Sequence, residues 1–409
     1  MRPSEEAPAP VLPMSADPIK LVLMLALAPA IGLGIGRFAY SLVLPDMRDS
    51  LGWSYATAGF MNTINAVGYL AGALAAARLV RQAGTFGAVW IGTLICVAGL
   101  GLSALSGNVV LFSTARFLLG AGAAFSFVGG GALAATIAQA HPARGAVLVS
   151  LFYTGPALGI IVSGLVSPFV LAHYGQGSWW LVWTVLAAIS VAFTLLLWGG
   201  RVYTAAERGN AVATRVALAP VMVYLISYAL FGAGYIAYMT FMIAYVRDAG
   251  AGAVAQSAFW CAIGVGAFCA PWVWRSLMNR GDSGRTTAIV LVLTTIGAAL
   301  PMIGHGPILL GVSAVLFGNA FFAVVTATTV FVRLNYPQAA WPQAIAVMTI
   351  AFSLGQTLGP IATGAITDML GSLFYALVAS AVLLAVAAVL AIFQPSIKGR
   401  ADLASAPPA

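Results

Sequence analysis

Long apolar runs separated by short polar segments extend through the whole chain. An apolar run of about eighteen or more residues is long enough to cross the hydrocarbon core of a bilayer as an α-helix. Several runs are interrupted by Gly or Pro, which membrane helices tolerate. The pattern predicts twelve membrane-spanning helices at residues 19–45, 54–77, 85–105, 108–139, 145–172, 178–199, 218–246, 254–278, 285–304, 307–332, 342–367 and 371–393.

The composition supports this assignment. Hydrophobic residues make up 61% of the 409 residues, charged residues make up 7%, and the mean hydropathy is +1.00. A soluble chain carries about a quarter charged residues because its surface must be hydrated. So few charges cannot cover a soluble particle of 42.0 kDa, and we expect the lipid bilayer to contact much of the surface.

The basic residues are concentrated on one side of the predicted spans. Of the 18 Lys and Arg residues, fourteen fall on the side of the termini, and only Arg48 and Arg247 fall in loops on the opposite side. The fourteen are Arg2, Lys20, Arg78, Arg81, Arg144, Arg201, Arg208, Arg215, Arg275, Arg280, Arg285, Arg333, Lys398 and Arg400. Such a bias marks cytoplasmic loops and predicts that both termini are cytoplasmic. The basic residues stand singly, with no patch that would bind nucleic acid.

The two halves of the chain repeat one another. At an offset of 200 residues, nine of the 23 positions between 142 and 164 are identical, three of them glycines. At an offset of 198, LGIGRFAY (33–40) aligns with FGAGYIAY (231–238). Apolar composition alone hardly produces ordered Gly and Phe matches near one offset. We infer a duplication, and parallel repeats of this kind place the solute site between the halves near the bilayer midplane.

The longest internal polar stretch, residues 201–215, separates the two halves. The predicted fold is an all-α membrane protein with two pseudo-symmetric six-helix bundles. The two predicted bundles cover residues 19–200 and 217–394, and a cytoplasmic linker, residues 201–216, joins them. Residues 1–18 and 395–409 are predicted to be cytoplasmic tails.

Several motifs resemble those of the major facilitator superfamily of transporters. In span four, RFLLGAG (116–122) resembles the family's Arg-x-x-x-Gly-x-Gly motif, and in span five GPALG (155–159) resembles its Gly-Pro-x-x-Gly motif. GPIATGAITDMLG (359–371) resembles the usual end of span eleven. The opening GIGRFAYSLVLPDM (34–47) is more specific and resembles the poorly characterised YbfB-like bacterial subgroup.

The resemblance covers essentially the whole chain. It implies a monomeric secondary transporter of the bacterial inner membrane, not an enzyme, with spans one, four, seven and ten around a central cavity. The chain departs from the family between spans two and three, where GALAAARLVRQAG (72–84) replaces Gly-x-Leu-x-Asp-Arg-x-Gly-Arg and contains no acid. The charge lock attributed to that loop is therefore not expected here.

Charged residues inside membrane spans are unfavourable and by default mark functional sites. Two lie there, Arg37 in span one and Arg116 in span four. Both present a planar fork suited to a carboxylate or phosphate. Because no Asp or Glu lies deep in a span, we predict an anionic substrate between the halves. The alternatives are a structural Arg116 that bonds backbone or polar groups, and an Arg37 that pairs with carbonyls or with Asn62.

Polar and aromatic residues of the spans are the further candidates for substrate contact. In the second repeat, Tyr235 occupies the position of Arg37, and Asn62, Asn65 and Tyr69 share one face of span two. The alternative for each is helix–helix bonding or anchoring at the membrane interface. The candidates are Tyr40, Asn62, Asn65, Tyr153, Tyr235, Tyr238, Asn319 and Gln356.

The leading hypothesis is a secondary transporter of a small organic anion, with Arg37 holding the anion and Arg116 supporting it. A proton symporter needs a titratable group, which only Asp46, Asp368 or the substrate offers, so proton cotransport and anion exchange both stay open. The direction of transport stays open as well. Alternatives are an efflux pump for apolar or weakly charged compounds, which the Gly-Pro motif favours, and a membrane sensor without transport.

No cofactor or metal is predicted. The three cysteines lie inside apolar runs, and the three histidines lie at the loop edges of different segments. Neither set has the spacing of metal ligands. No phosphate-binding loop or nucleotide-binding domain is visible, so transport would be driven by a gradient or by exchange.

Overall fold

The computed structural model describes residues 17–201, 218–278, 283–304, 306–337 and 340–397. The predicted tails and the linker between the halves lie almost wholly outside these residues. Within them, eleven helices are long and apolar enough to cross a membrane. The longest, Tyr55–Leu105, has 51 residues and is broken at Gly84, whose φ of 77° and ψ of 167° are not helical. Since one crossing needs only about 20 residues, this helix is two spans, and the described chain has twelve.

The twelve spans confirm the predicted fold class, with boundaries shifted by a few residues. They are α1 Pro18–Leu51, α2 55–83, α3 85–105, α4 Val109–Ala140, α5 Pro142–Tyr174, α6 Trp179–Trp198, α7 Ala219–Asp248, α8 Ala253–Val273, α9 Gly284–Met302, α10 Pro307–Asn335, α11 Trp341–Leu370 and α12 Leu373–Ile392. A short helix, Arg275–Met278, follows α8. The even number of spans puts the first and the last of the described residues on one face of the molecule. We call this face the terminal side and the opposite face the distal side.

Helix α1 changes its hydrogen-bonding pattern in the middle. Its first and last parts, Pro18–Pro29 and Tyr40–Leu51, are α-helical, whereas Ala30–Phe38 is a π-helix. Segments of π-helix are rare and occur frequently at functional sites. The counterpart of this segment in the second half lies within Met222–Asp248, which is α-helical throughout.

Paired glycines set the helix packing in both halves. On α5, Gly155 and Gly159 lie so close to the backbone of α1 that an added Cβ would overlap with it. On α11, Gly355 and Gly359 lie in the same way against α7. Such close approach provides the van der Waals contact that holds membrane helices together where lipid removes the hydrophobic drive. The sequence repeat is therefore also a repeat in packing.

The main contacts between the two bundles, α1–α6 and α7–α12, are those of three helix pairs. Helix α2 packs on α11, α5 packs on α8, and the distal part of α1 packs on α7. The hydrogen bonds and the ion pair that join the bundles within the described residues lie level with Arg37 or on its distal side. The bundles are therefore joined from the centre outward to the distal side.

Candidate functional site

Arg37 lies at the centre of the molecule, where the two halves meet. It is in the π-helical part of α1 and its side chain is only 4% exposed. Its Nη2 donates a hydrogen bond of 2.6 Å to Oε1 of Gln356 on α11. The Nε2 of Gln356 in turn donates to the hydroxyl of Tyr235 on α7. The structure thus brings together three of the predicted site residues, one from the first half and two from the second.

The charge of Arg37 has no acidic partner among the described residues, whose ion pairs all lie on the distal side. Its Nε is buried and has no hydrogen-bond partner. The ring of Tyr69 lies 5.7 Å from the guanidinium carbon and gives a weak cation–π contact. Arg37 is therefore a buried cation with an unused donor.

Arg116 differs from Arg37 because its donors are occupied by the protein. It is fully buried on α4. Its Nη1 donates to the carbonyl of Gly36 at 2.7 Å, and its Nη2 donates to Oδ1 of Asn62 at 2.7 Å. The ring of Tyr40 lies 4.7 Å from its guanidinium carbon. This arrangement fits the structural alternative for Arg116, since it ties α4 to α1 and α2.

The other candidates of the first half connect helices. Asn62 accepts from Arg116 and donates to Thr240 of α7 at 2.7 Å. Asn65 donates to the backbone carbonyl of Arg116 at 3.0 Å, and the hydroxyl of Tyr40 donates to a backbone carbonyl of α2 at 2.8 Å. All three are buried, and they surround Arg116 rather than Arg37.

Two candidates of the second half lie away from Gln356. The hydroxyl of Tyr238, fully buried, is 3.1 Å from that of Ser313 on α10. The amide of Asn319 donates to the carbonyl of Gly266 on α8 at 3.0 Å. Both contacts join neighbouring helices of the second bundle.

Stacked aromatic rings form a wall beside Gln356. The ring of Tyr235 stacks on that of Phe352 with centroids 5.6 Å apart and on that of Phe321 at 5.8 Å. Phe352 is partly exposed, as is Tyr69 on the other side of Arg37. Phe352 was not among the residues predicted from the sequence, although Phe152 is its identical counterpart at the offset of 200.

A cavity of about 390 Å³ opens on the terminal side. It is lined by the ends of α4, α5 and α10, namely by Ala135, Ala138, Gln139, Pro142, Gly145, Ala146, Val149 and Arg333. Tyr153 lies one turn further into α5 than Val149 and is 47% exposed. Arg333, which the sequence indicated only as a topology marker, therefore places a positive charge at this cavity.

Polar contacts seal the distal side. Asp49 at the end of α1 forms an ion pair of 2.9 Å with Arg247 at the end of α7. The carboxylate of Asp368 on α11 accepts hydrogen bonds of 2.9 and 2.8 Å from the backbone amides of Tyr55 and Ala56 at the start of α2. A carboxylate at a helix N-terminus is stabilised by the helix dipole. We refer to these two contacts as the distal seal.

Asp46, the other coupling candidate, also caps a helix. Its carboxylate accepts from the backbone amides of Gly177 and Trp179 at 2.8 and 2.9 Å, at the start of α6. Asp46 and Asp368 thus both accept backbone hydrogen bonds at a helix start on the distal side, and neither contacts Arg37. Within the described residues no group of three His, Cys, Asp or Glu side chains is arranged to hold a metal ion.

Comparison with known proteins agrees with this architecture. The family described as "Uncharacterised MFS-type transporter YbfB" matches residues 29–392. No functionally curated protein matches the chain.

Two solved structures with the same fold are described as transporters. One is a mutant of the nucleoside transporter NupG, with a TM-score of 0.68 at 14% identity over 91% of this chain and 98% of that one. The other is a bacterial homologue of the human lysosomal transporter Spinster in an inward-facing and occupied conformation, with a TM-score of 0.68 at 15% identity over 97% of this chain and 100% of that one. At such low identity the likeness establishes the fold alone.

Proposed function

The chain belongs to the YbfB family of MFS-type transporters, and from this premise we propose that it carries a small organic anion that binds at Arg37. As a member of this family it is a transporter and not an enzyme. The observation that supports an anion is the state of Arg37, which is buried, lacks an acidic partner among the described residues and has an unbonded Nε.

The charge of Arg37 favours an anion over other solutes. Moving an ionised group out of water is unfavourable by roughly several kcal/mol, even after the protein relaxes around it. A counter-charge with oxygen acceptors offsets part of this free energy. A neutral solute would leave the charge of Arg37 uncompensated. A cation would add repulsion, because no acidic side chain of the described residues lies beside Arg37 to offset it.

Arg116 supports the site without contacting the substrate. Its bond to the carbonyl of Gly36 fixes the backbone next to Arg37, and its bond to Asn62 fixes α2. Since its four described hydrogen bonds occupy the guanidinium, a substrate would have to break existing bonds to reach it. We therefore assign anion binding to Arg37 alone.

Transport would follow alternating access between two states. In the described state the bundles are joined by the distal seal and enclose a shallow cavity on the terminal side, and we take this as the state that opens toward the terminal side. The opposite state requires the distal seal to open. An exposed ion pair such as that of Asp49 and Arg247 contributes only about 0–1 kcal/mol, so this ion pair opposes the opening only weakly.

The described features also support a membrane orientation, an oligomeric state and a route for a cotransported proton. The basic residues of the terminal side support an orientation with both termini in the cytoplasm, in a bacterial inner membrane. One chain encloses the whole site, so a monomer is sufficient. Because Asp46 and Asp368 bind helix N-termini, a cotransported proton would travel on the substrate.

A second candidate function is efflux of apolar compounds. The stacked rings of Tyr235, Phe321 and Phe352 favour it. In that case, expression of the protein would lower the accumulation of a lipophilic dye, and substitution of Arg37 would not change the effect.

The test of anion transport uses purified protein in proteoliposomes. Uptake and counterflow are measured for radiolabelled acetate, lactate, benzoate and succinate, in wild type, in Arg37→Gln and in Arg275→Gln. Arg275 is exposed beyond α8 and serves as the matched control. We expect transport of at least one anion that Arg37→Gln abolishes and Arg275→Gln retains. Full transport of an anion by Arg37→Gln would refute the assignment.

A further inference from the structure

We infer that the substrate binds through a carboxylate that lies across Nε and Nη2 of Arg37 and takes the place of the amide oxygen of Gln356. This extends the proposed function, on which it rests, by naming the acidic group and the residue that the substrate displaces. In the described state, the amide oxygen of Gln356 would occupy the position that a carboxylate oxygen of the substrate takes on binding.

The geometry of the guanidinium leads to this assignment. Nε and Nη2 lie on one edge of the planar group, and their two N–H bonds match the two oxygens of a carboxylate. Here Nη2 donates to Gln356, while Nε is buried and has no partner. An amide has a single oxygen, and the NH₂ group of Gln356 already donates to Tyr235. Gln356 therefore accepts from only one of the two N–H donors on this edge, whereas a carboxylate would accept from both.

The bond between Arg37 and Gln356 also joins the two halves. Arg37 is on α1 of the first bundle and Gln356 is on α11 of the second. A carboxylate that replaces the amide oxygen breaks this central link at the moment of binding. Gln356 is thus a positioning residue, which orients Arg37 in the empty carrier and releases it to the substrate.

The rings around the pair define the rest of the substrate. Tyr69 lies beside the guanidinium, and the partly exposed Phe352 stacks on Tyr235 next to the amide. The faces of these aromatic rings suit a substrate whose remaining part is planar and apolar. A single unpaired cation balances one negative charge, so a monocarboxylate fits better than a phosphate or a dicarboxylate. The chemistry is that of a small aromatic monocarboxylate.

The test measures equilibrium binding of radiolabelled benzoate to the purified full-length protein. If Gln356 competes with the substrate, Gln356→Leu removes the competitor and lowers the Kd of benzoate by about fivefold, the worth of one hydrogen bond. Gln356→Glu places a fixed carboxylate on Arg37 and raises the Kd by at least about tenfold. Gln256→Glu is the control, because Gln256 is half-buried on the distal side and donates to the carbonyl of Ala251.

The directions of these changes in the Kd of benzoate show whether Gln356 competes with the substrate. A merely structural Gln356 would give weaker binding in the Leu variant, and that result would overturn the inference. So would unchanged binding in the Glu variant with a wild-type thermal unfolding midpoint, or wild-type transport of acetate or succinate without any binding of benzoate. Each of these leaves anion transport at Arg37 intact, whereas the proposed function fails only when no anion is transported in an Arg37-dependent manner.

Discussion

Arg37 and Tyr235 occupy the same position in the two repeats, and both hydrogen-bond to one amide, that of Gln356. The two repeats thus place a cation and a phenol on opposite sides of the centre. One half supplies the charge and the other supplies the polar and aromatic surroundings.

The first prediction concerns the shape of the Arg37 side chain. Lysine keeps the charge but lacks the planar fork, so Arg37→Lys should weaken benzoate binding by at least about tenfold, nearly as much as Arg37→Gln. Binding assays on purified protein measure this, with Arg275→Lys as the matched control on the exposed terminal side. Wild-type affinity in Arg37→Lys would mean that charge alone binds the anion.

The second prediction concerns Arg116. Arg116→Leu leaves the carbonyl of Gly36 and Oδ1 of Asn62 buried without their donors, and each lost partner is unfavourable by about 1–3 kcal/mol. We expect a clear fall in the thermal unfolding midpoint in detergent, with a smaller fall for Arg116→Lys. A variant Arg116→Leu that unfolds at the wild-type temperature but no longer binds benzoate would instead place Arg116 in contact with the substrate.

The third prediction concerns the distal seal. Asp368→Asn removes the charge that binds the start of α2. Since a charge at a helix N-terminus contributes about 0.3–1 kcal/mol, the balance should move away from the state open on the terminal side by up to about fivefold.

Cysteine labelling measures this shift. A cysteine introduced by Tyr153→Cys, in a background without Cys96, Cys261 and Cys269, should react more slowly with an impermeant maleimide from the terminal side when Asp368→Asn is present. Asp17→Asn is the control, because Asp17 caps α1 by bonding the amide of Ile19 on the terminal side. Equal slowing by both variants would contradict a specific role of the distal seal.

The fourth prediction concerns glycine packing. A Cβ at Gly355 would overlap with the carbonyl of Ala229, so Gly355→Ala should lower stability by about 1–3 kcal/mol. At Gly311 an added Cβ meets nothing within 4 Å, and Gly311→Ala should be neutral or slightly stabilising. Thermal unfolding midpoints compare the two variants directly. Equal stability would show that α7 and α11 are packed less closely than described.

Much of the fold could be predicted from the sequence. Apolar run length determines the spans, and the Gly155 and Gly355 matches indicate the repeat, because close helix contact requires glycine at fixed positions. The π-helical part of α1 could not be predicted. It contains Gly36, whose carbonyl accepts a hydrogen bond from Arg116, and at the offset of 198 the second half has Ala314 in place of Arg116. Such a change of helix type depends on a contact between distant residues.

The candidate site residues could be selected from the sequence, but the contacts between them could not. Charge in an apolar span selected Arg37 and Arg116 equally, since composition does not reveal which guanidinium has its donors occupied. Gln356 stands where the first half has Pro156, a difference that marks the position without indicating its partner. Phe352 was missed because an aromatic residue in an apolar span has no distinguishing pattern.

The most direct measurement of the central claim is the affinity of the protein for benzoate and for benzamide, its neutral isostere, in wild type and in Arg37→Gln. If Arg37 binds the anionic group, wild type should prefer benzoate by at least about tenfold, and the preference should disappear in Arg37→Gln. A preference for benzoate of the same size in both proteins would contradict the account.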